Sequence, residues 1–364
     1  MTDNAKRFIT PLTMQAVSGN PVHDDLFDLE AEAAMGHIEL ARWADVVLIA
    51  PASANFMARL ANGTADDLLT TLCLATHAPI VVAPAMNQGM WLHDSTQANW
   101  QALTQKNVHI LAPPAGSQAC GDVGPGRMME PLDIVDRVSA LFANDALAGV
   151  RMLITAGPTH EAIDPVRFIA NGSSGKMGYA LAEAAIEAGA IVTLISGPVS
   201  LTPPARAEFI SVTSAQEMHD AVMRKVAECD IFLAVAAVAD YRCQNIATQK
   251  IHKEADILTL TLERNPDIVT SVAQLKRKPF IVGCAAETEK VVQQAAAKRI
   301  RKQMDMIIAN QVGHGKGIGS ETNEVVLLTA LSQIALPNES KTKLARQLME
   351  QISNHYKTEV KELA

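Results

Sequence analysis

The thiol of Cys120 sits among glycines in Ala119-Cys120-Gly121-Asp122-Val123-Gly124-Pro125-Gly126-Arg127-Met128. A sulfur in such an open setting can give or take a proton. The loop is too long and glycine-rich for a plain connection, and structured loops of that length often act as lids. A lone loop cysteine is more often inert than catalytic, so both readings stand. Asn87, in Pro84-Ala85-Met86-Asn87-Gln88-Gly89-Met90-Trp91, offers an amide to a carboxylate. Met90 and Trp91 either shape an apolar slot beside it or simply pack inward. Ser53, in Pro51-Ala52-Ser53-Ala54-Asn55, can donate a hydrogen bond where small neighbours let a ligand approach the backbone. An ordinary strand-to-helix turn would have the same composition. His37, in Met35-Gly36-His37-Ile38-Glu39-Leu40, is either a general base, a role suited to the histidine side chain, or a half-buried helix residue.

The second half of the chain is denser in such groups. Ala156-Gly157-Pro158-Thr159 leads through Asp164-Pro165-Val166-Arg167 to Asn171-Gly172-Ser173-Ser174-Gly175-Lys176-Met177-Gly178 and then a helix. Glycines and serines at a helix N-terminus turn several backbone N–H groups toward an anion. The spacing is neither a Walker loop nor G-x-G-x-x-G. Composition alone leaves a phosphate loop and a tight structural turn equally open. Further on come Asp240 in Ala236-Ala237-Val238-Ala239-Asp240, then Lys250-Ile251-His252-Lys253, Asn265-Pro266-Asp267-Ile268 and Ala285-Ala286-Glu287. Lys298 and Lys302 lie four apart, on one face of a helix. With a glycine loop and a loop lysine they form a plausible triphosphate clamp, although a basic helix face is usually just solvated.

Short β-rich runs hold these groups in place. The pattern predicts strands at Val46–Ala50, Ile80–Ala83, Val108–Ala112, Met152–Thr155, Ile191–Ser196, Ile231–Ala236, Phe280–Gly283, Met306–Ala309 and Val325–Leu328, each followed by a loop and a helical stretch. Alternation of this kind implies parallel βαβ units, whose ligands sit beyond the carboxyl ends of the strands. A chain of 364 residues is too long for one average core. The reading is therefore α/β, with two doubly wound, Rossmann-like parallel-sheet domains over residues 1–147 and 148–364. Thr10-Pro11 marks a helix start and Gly19 its end, with neither strand nor glycine loop ahead of it. The first domain is thus expected to miss its opening βα unit. The last helix, Lys341–Glu362, is expected to present a solvated face.

Composition excludes several classes. Formal net charge is −8 with both signs interspersed, so no basic track awaits a nucleic acid. Five dispersed cysteines without CxxC spacing argue for a reducing compartment. No apolar run reaches membrane-spanning length, which makes a cytoplasmic enzyme the default.

Up to about Phe142, PASAN, PAMNxxMW, the ACGDxGxGRM loop and the Gly36-His37 pair together resemble the flavin-dependent cysteine decarboxylases. More closely, they resemble the decarboxylase half of the bifunctional phosphopantothenoylcysteine decarboxylase/phosphopantothenate–cysteine ligases. That resemblance implies that His37 is the base, Asn87 binds the substrate carboxylate and Cys120 returns a proton. FMN would lie against Ser53 and Met86, supplying by oxidation of the thiol the electron sink that a cysteine carboxylate lacks. From Met152 to about Asn310, the ordered set AGPTxExxDPVRxIxNxSSGKMG, AAVADY, KIxK, NPDI, AAET and KRIRK resembles the ligase half of the same enzymes. There the resemblance implies that Ala234, Val235, Ala236 and Asp240 hold the base and ribose of CTP. Pro266, Asp267, Ile268, Val269 and Cys284 would line the pocket, while Lys250, Lys298 and Lys302 neutralise the triphosphate. Asn171 would act on an acyl-cytidylate formed from 4′-phosphopantothenate before cysteine attacks it. Mg2+ would arrive mainly on the triphosphate. The family forms ligase dimers and decarboxylase trimers, and a dodecamer in all.

Three departures from the family pattern stand out. The strand and Gly-Gly-Ile-Ala-Ala-Tyr-Lys-like loop that cradle the flavin phosphate in the family have no counterpart here. His252 stands where the family usually has a second lysine, and Cys284 where a phenylalanine often packs. Two alternatives therefore stay open: a ligase carrying an inactive flavin domain, and a non-catalytic binding relative.

Overall fold

A computed structural model describes residues 1–27, 36–252, 257–313 and 319–363, side chains being described up to residue 358. It divides into two compact units, Met1–Leu141 and Phe142–Ala364. The break falls ahead of the expected 147/148 because the connecting segment already belongs to the second unit. There Asn144 N donates to Glu187 O at 2.7 Å and Leu147 N to Ala188 O at 2.7 Å. Phe142 also lies 4.1 Å under the guanidinium of Arg346, which forks onto both carboxylate oxygens of Glu187.

The first unit opens with two short helices, α1 (Asp3–Lys6) and α2 (Pro11–Ser18). Thr10 caps α2 through Thr13 N, and left-handed Gly19 closes it. Helix α3 is His37–Trp43. Strands β1 (Val47–Ala52), β2 (Ile80–Pro84) and β3 (His109–Ile110) pair in parallel in the order β1-β2-β3. Helix α4 (Ala54–Asn62) follows β1; Phe56, Met57, Leu60 and Ala61 repeat at helical spacing and pack on Val47 and Ile49. Helices α5 (Leu68–Ala75), α6 (Gln88–Leu92) and α7 (Asp94–Gln105) complete this layer, Trp91 and Trp100 lying 5.3 Å apart. The chain then forms a β4–β5 hairpin (Ala115–Ser117 with Val123–Pro125) and helix α8 (Pro131–Ala140).

Among the described residues, the second unit is built on an eight-stranded sheet in the order β10-β9-β6-β11-β14-β15-β16-β17. Its members are β6 (Arg151–Ala156), β9 (Ile191–Ser196), β10 (Glu208–Ser211), β11 (Ile231–Ala234), β14 (Phe280–Glu287), β15 (Met306–Gln311), β16 (Thr322–Leu328) and β17 (Gln333–Ser340). The strands from β10 to β15 run parallel, and β16 and β17 add antiparallel at one edge. Two small hairpins stand outside this sheet: β7 (His160–Ala162) with β8 (Phe168–Ala170), and β12 (Tyr241–Cys243) with β13 (Leu262–Arg264). Helices α9 (Lys176–Glu187), α10 (Ala215–Lys225), α11 (Ile268–Ala273), α12 (Val291–Arg301) and α13 (Lys341–Leu363) cover both faces. Helix α13 is exposed at Glu350 and Lys357, the solvated face expected of it, and it buries a second face that the charges obscured. Leu344, Leu348 and Ile352, spaced four apart, are fully buried in the core.

Helix α9 lies close on β6 because Gly178 has no side chain. A Cβ there would stand 2.6 Å from that of Ala156. Gly178→Ala gains helix propensity but forces the layers apart, a net loss of about 1–2 kcal/mol. The expected result is a melting temperature lowered by several degrees, and an unchanged melt would show that the layers yield.

Candidate functional site

In the first unit the thiol, the amide and the small-residue loop converge. Ala85 N donates to Ala52 O at 2.9 Å, which sets the loop carrying Met86 and Asn87 beside Ser53. Ser53 accepts from Phe56 N as the cap of α4 and keeps its hydroxyl proton for a ligand. Asn87 Oδ1 accepts from Gly89 N, aiming its Nδ2 at Asp122 Oδ2 (3.0 Å), Cys120 Sγ (3.4 Å) and Gln118 Oε1 (3.4 Å). The thiol in turn donates to Asp122 Oδ2 at 3.4 Å. Together the Asn87 amide and the Cys120 thiol hold the Asp122 carboxyl below the usual carboxylate range. The thiol hydrogen is thus directed at the Asp122 carboxylate.

The β4–β5 hairpin reaches this position by backbone approach. Gly126 O accepts from Met86 N at 2.9 Å. A Cβ on Gly126, whose φ is +144°, would stand 2.3 Å from Met86 O, and one on Gly124 would stand 1.9 Å from Gln88 Oε1. Sequence reasoning singled out Cys120 and Asn87 but passed over Gln118 and Asp122, whose signal lay in the same loop. His37 starts α3, which is tied by Thr76 Oγ1 to Ala41 O at 2.9 Å. Among the described residues no hydrogen bond or ion pair joins His37 to the Cys120 group.

In the second unit the loop after β11, the start of α11, strand β14 and the C-terminal end of α12 line a cavity of about 170 Å³. Ala234, Ala236, Asp240, Pro266, Asp267, Ile268, Val269, Cys284, Lys298 and Lys302 all line it. Val235 does not, because side chains alternate along the chain here and Val235 packs into the opposite core. Thr155, Val238, Ala239, Asn265 and Met304 complete the wall unforeseen. Asn265 holds the Asp240 loop, its Nδ2 donating to Ala239 O at 2.8 Å and its N–H to Asp240 O at 2.9 Å. Asn171 reaches the rim, Nδ2 donating to Val238 O at 2.9 Å.

The electrostatics of the cavity are set by α12. Lys298 Nζ donates to Cys284 O at 3.1 Å. Burial and then neighbouring Lys302 push the Lys298 ammonium below the ordinary lysine range, against the pull of Cys284, Glu287 and Asp240. Lys302 pairs with Asp267 at 2.9 Å. Burial alone would raise the Asp267 carboxyl, yet Lys302 and the Thr270 N–H hold it net below the carboxylate range. Burial pushes the Cys284 thiol up to about 12, so it lines the wall as an apolar group. Lys250 and His252 are exposed and outside the lining. The glycine loop ends in left-handed Gly175 at the start of α9, where Lys176 pairs with Glu321. Among the described residues no cluster of three or more His, Cys, Asp or Glu forms a metal cage.

Residues 1–143 match the family "Flavoprotein", and residues 147–356 match "DNA/pantothenate metabolism flavoprotein C-terminal domain". The coenzyme A biosynthesis bifunctional protein CoaBC of Vibrio cholerae is 56% identical over 353 residues, covering 96% of this chain and 88% of that protein. Its namesake from Escherichia coli K12 is 51% identical over 363 residues, covering 98% and 89%. The crystal structure of a CoaBC C-terminal domain superposes with a TM-score of 0.51 at 39% identity, covering 59% of this chain and all of that one.

Proposed function

We infer that this chain, which belongs to the family of coenzyme A biosynthesis bifunctional proteins, activates 4′-phosphopantothenate with CTP, couples it to cysteine and decarboxylates the product. Its place in coenzyme A biosynthesis and its ligase and decarboxylase activities follow from that membership. The observation that best supports the finer reading is the cavity in which Asp240, Lys298 and Lys302 meet, with Asn171 on its rim.

The chemistry that this cavity serves is acyl activation. A carboxylate oxygen of 4′-phosphopantothenate attacks the α-phosphorus, the bond to the β-phosphate breaks and pyrophosphate leaves. The amine of cysteine then attacks the acyl carbon, loses its proton and releases CMP. Lys298 and Lys302 meet the negative charge of the phosphates, Lys302 exchanging Asp267 for them, and Lys250 adds a third cation. Asp240 and the backbone around Ala234 and Ala236 take the ribose and base. Asn171 orients the activated acyl group. Mg2+ rides on the triphosphate, as this hard cation commonly does in nucleotide sites.

The first unit is a flavoprotein domain. The free hydroxyl proton of Ser53 and the small residues around it fit a flavin edge, with Met86 on the adjoining loop. When bound, FMN supplies the oxidation that makes loss of carbon dioxide possible. The chain itself holds the carboxylate on Asn87, takes a proton at His37 and returns one from Cys120. Assembly as a homo-oligomer and a cytoplasmic location complete the proposal. Light scattering decides the first; among the described residues no helix is long and apolar enough to cross a membrane.

Incubation with 4′-phosphopantothenate, cysteine, CTP, Mg2+ and FMN, followed by mass spectrometry, tests the reading. Phosphopantetheine is the expected product. Phosphopantothenoylcysteine alone would restrict the chain to ligation, and neither product from folded protein would refute the proposal. A pH dependence follows as well. The triphosphate binds the charged form of Lys298, whose pKa is lowered, so CTP affinity should fall with rising pH before the free-lysine value of 10.5. In Lys298→Gln this loss should be absent; a pH profile identical to wild type would remove Lys298 from the site.

A further inference from the structure

We propose that Asp164 is a positioning residue for Lys250, fixing the loop that carries it to the hairpin that carries Asn171. The inference deepens the ligase reading above and rests on it.

Asp164 lies in the turn between β7 and β8, and its side chain is fully shielded from solvent. A carboxylate in that position must find partners for its lone pairs. Two of them are local: Oδ1 accepts from Val166 N at 2.8 Å and from Arg167 N at 2.9 Å. These close the turn and leave Oδ2 facing away from it. Oδ2 accepts from the backbone N–H of Ile251 at 3.1 Å, 87 residues along the chain, and from Arg167 Nη1 at 2.9 Å. Arg167 then turns both terminal nitrogens onto Ile251 O, each at 3.2 Å. The peptide groups on both sides of Ile251 are thus held, one by the carboxylate and the other by the guanidinium. A third link, Ala247 N donating to Ile163 O at 3.0 Å, ties the segment leading to Lys250 to the same turn.

Lys250 is the residue immediately before the gripped N–H. It is exposed and gains its position from the backbone alone. The same turn, through β8, delivers Asn171 to Val238 O on the cavity rim. One buried carboxylate therefore refers the lysine loop and the asparagine to a common frame. A lysine on an unanchored loop would spend most of its time away from the phosphates, and a misplacement of about 1 Å can cost ~100-fold in rate. Arg167 is suited to the second half of the grip because its planar fork spans a carboxylate and a carbonyl together, which an ammonium does not.

Asp164→Asn keeps the shape and removes the charge. Pyrophosphate release from CTP in the presence of 4′-phosphopantothenate should fall on the order of 100-fold in kcat with little change in the KM for CTP. In a Lys250→Gln background the same substitution should change the rate less than about threefold, because the two act as one unit. Hydrogen exchange of a peptide spanning Gln249–His252 should speed up in Asp164→Asn. Arg167→Lys, which keeps a cation beside Asp164, should speed it up to a smaller degree and provides a second variant if the first misfolds. Equal rate losses in both backgrounds, or unchanged exchange at Ile251, would overturn the proposal. Wild-type protein that released no pyrophosphate would instead overturn the ligase reading, and the exchange data would still decide the anchor.

Discussion

Lys250→Gln is expected to lower ligase turnover by roughly 10²–10³-fold, the range found when one preorganised donor is removed from a developing charge. The glutamine retains length and a hydrogen-bond donor but no charge, so the loss measures electrostatics rather than shape. The fold should be untouched, because Lys250 is exposed and surface substitutions away from built features usually stay within about 0.5 kcal/mol. CTP binding should persist through Lys298 and Lys302, which line the cavity independently of it. Rapid-quench measurement of pyrophosphate release, with calorimetry for CTP binding, separates the two effects. Unchanged release would remove Lys250 from the reaction, and with it the reason for anchoring its loop.

Cys120→Ser should stop the other activity. A proton delivered by a positioned side chain is worth about 10²–10⁴-fold, and a serine hydroxyl is a far weaker acid than a thiol. Because that proton is returned after carbon dioxide has left, the decarboxylated but still oxidised intermediate should accumulate while 4′-phosphopantetheine formation collapses. The geometry sharpens this expectation: the thiol is held by Asp122 on one side and by the Asn87 amide on the other, so a serine occupies the same hydrogen bonds. Folding is preserved and only proton delivery changes. 4′-Phosphopantetheine formed at the wild-type rate would assign the proton to another group.

How much of this could be read from residues alone follows a physical rule. All nine expected strands are present; the central ones of the second unit, such as β6 and β11, are apolar runs buried on both faces, the clearest signal a parallel sheet gives. Strands β10 and β17 were not seen: both are edges, Glu208-Phe209-Ile210-Ser211 being half polar and β17 containing Pro337, which an edge tolerates and a central strand does not. Helix α13 misled by its many charges, since a buried stripe needs only every fourth residue. The cavity wall was legible where a motif marks it, as at Asp240 and Pro266–Val269. It was illegible at Thr155 and Met304, which are ordinary core residues until the fold turns them toward a ligand. Asp164 and Asp122 share a different obscurity. Their roles are to hold other side chains and loops, and no spacing in a sequence states which distant backbone N–H a carboxylate will meet.

The strand order of the second unit has a consequence for how the protein is made. Strand β11 forms the middle of the sheet only by pairing with β6 behind it and β14 ahead of it. On a ribosome adding about 5–20 residues per second, the chain from Ala156 to Glu287 takes roughly seven to twenty-five seconds to appear. Within that interval Leu153 and Ile154 gain β9 on one side but wait for β11 on the other, and Phe232 and Leu233 then wait for β14. Such non-local pairing is slow to form and exposed to aggregation meanwhile. Until β14 emerges those faces of the nascent second unit stay uncovered, while the three-stranded parallel sheet of the first unit, whose last strand ends at Ile110, has already been made.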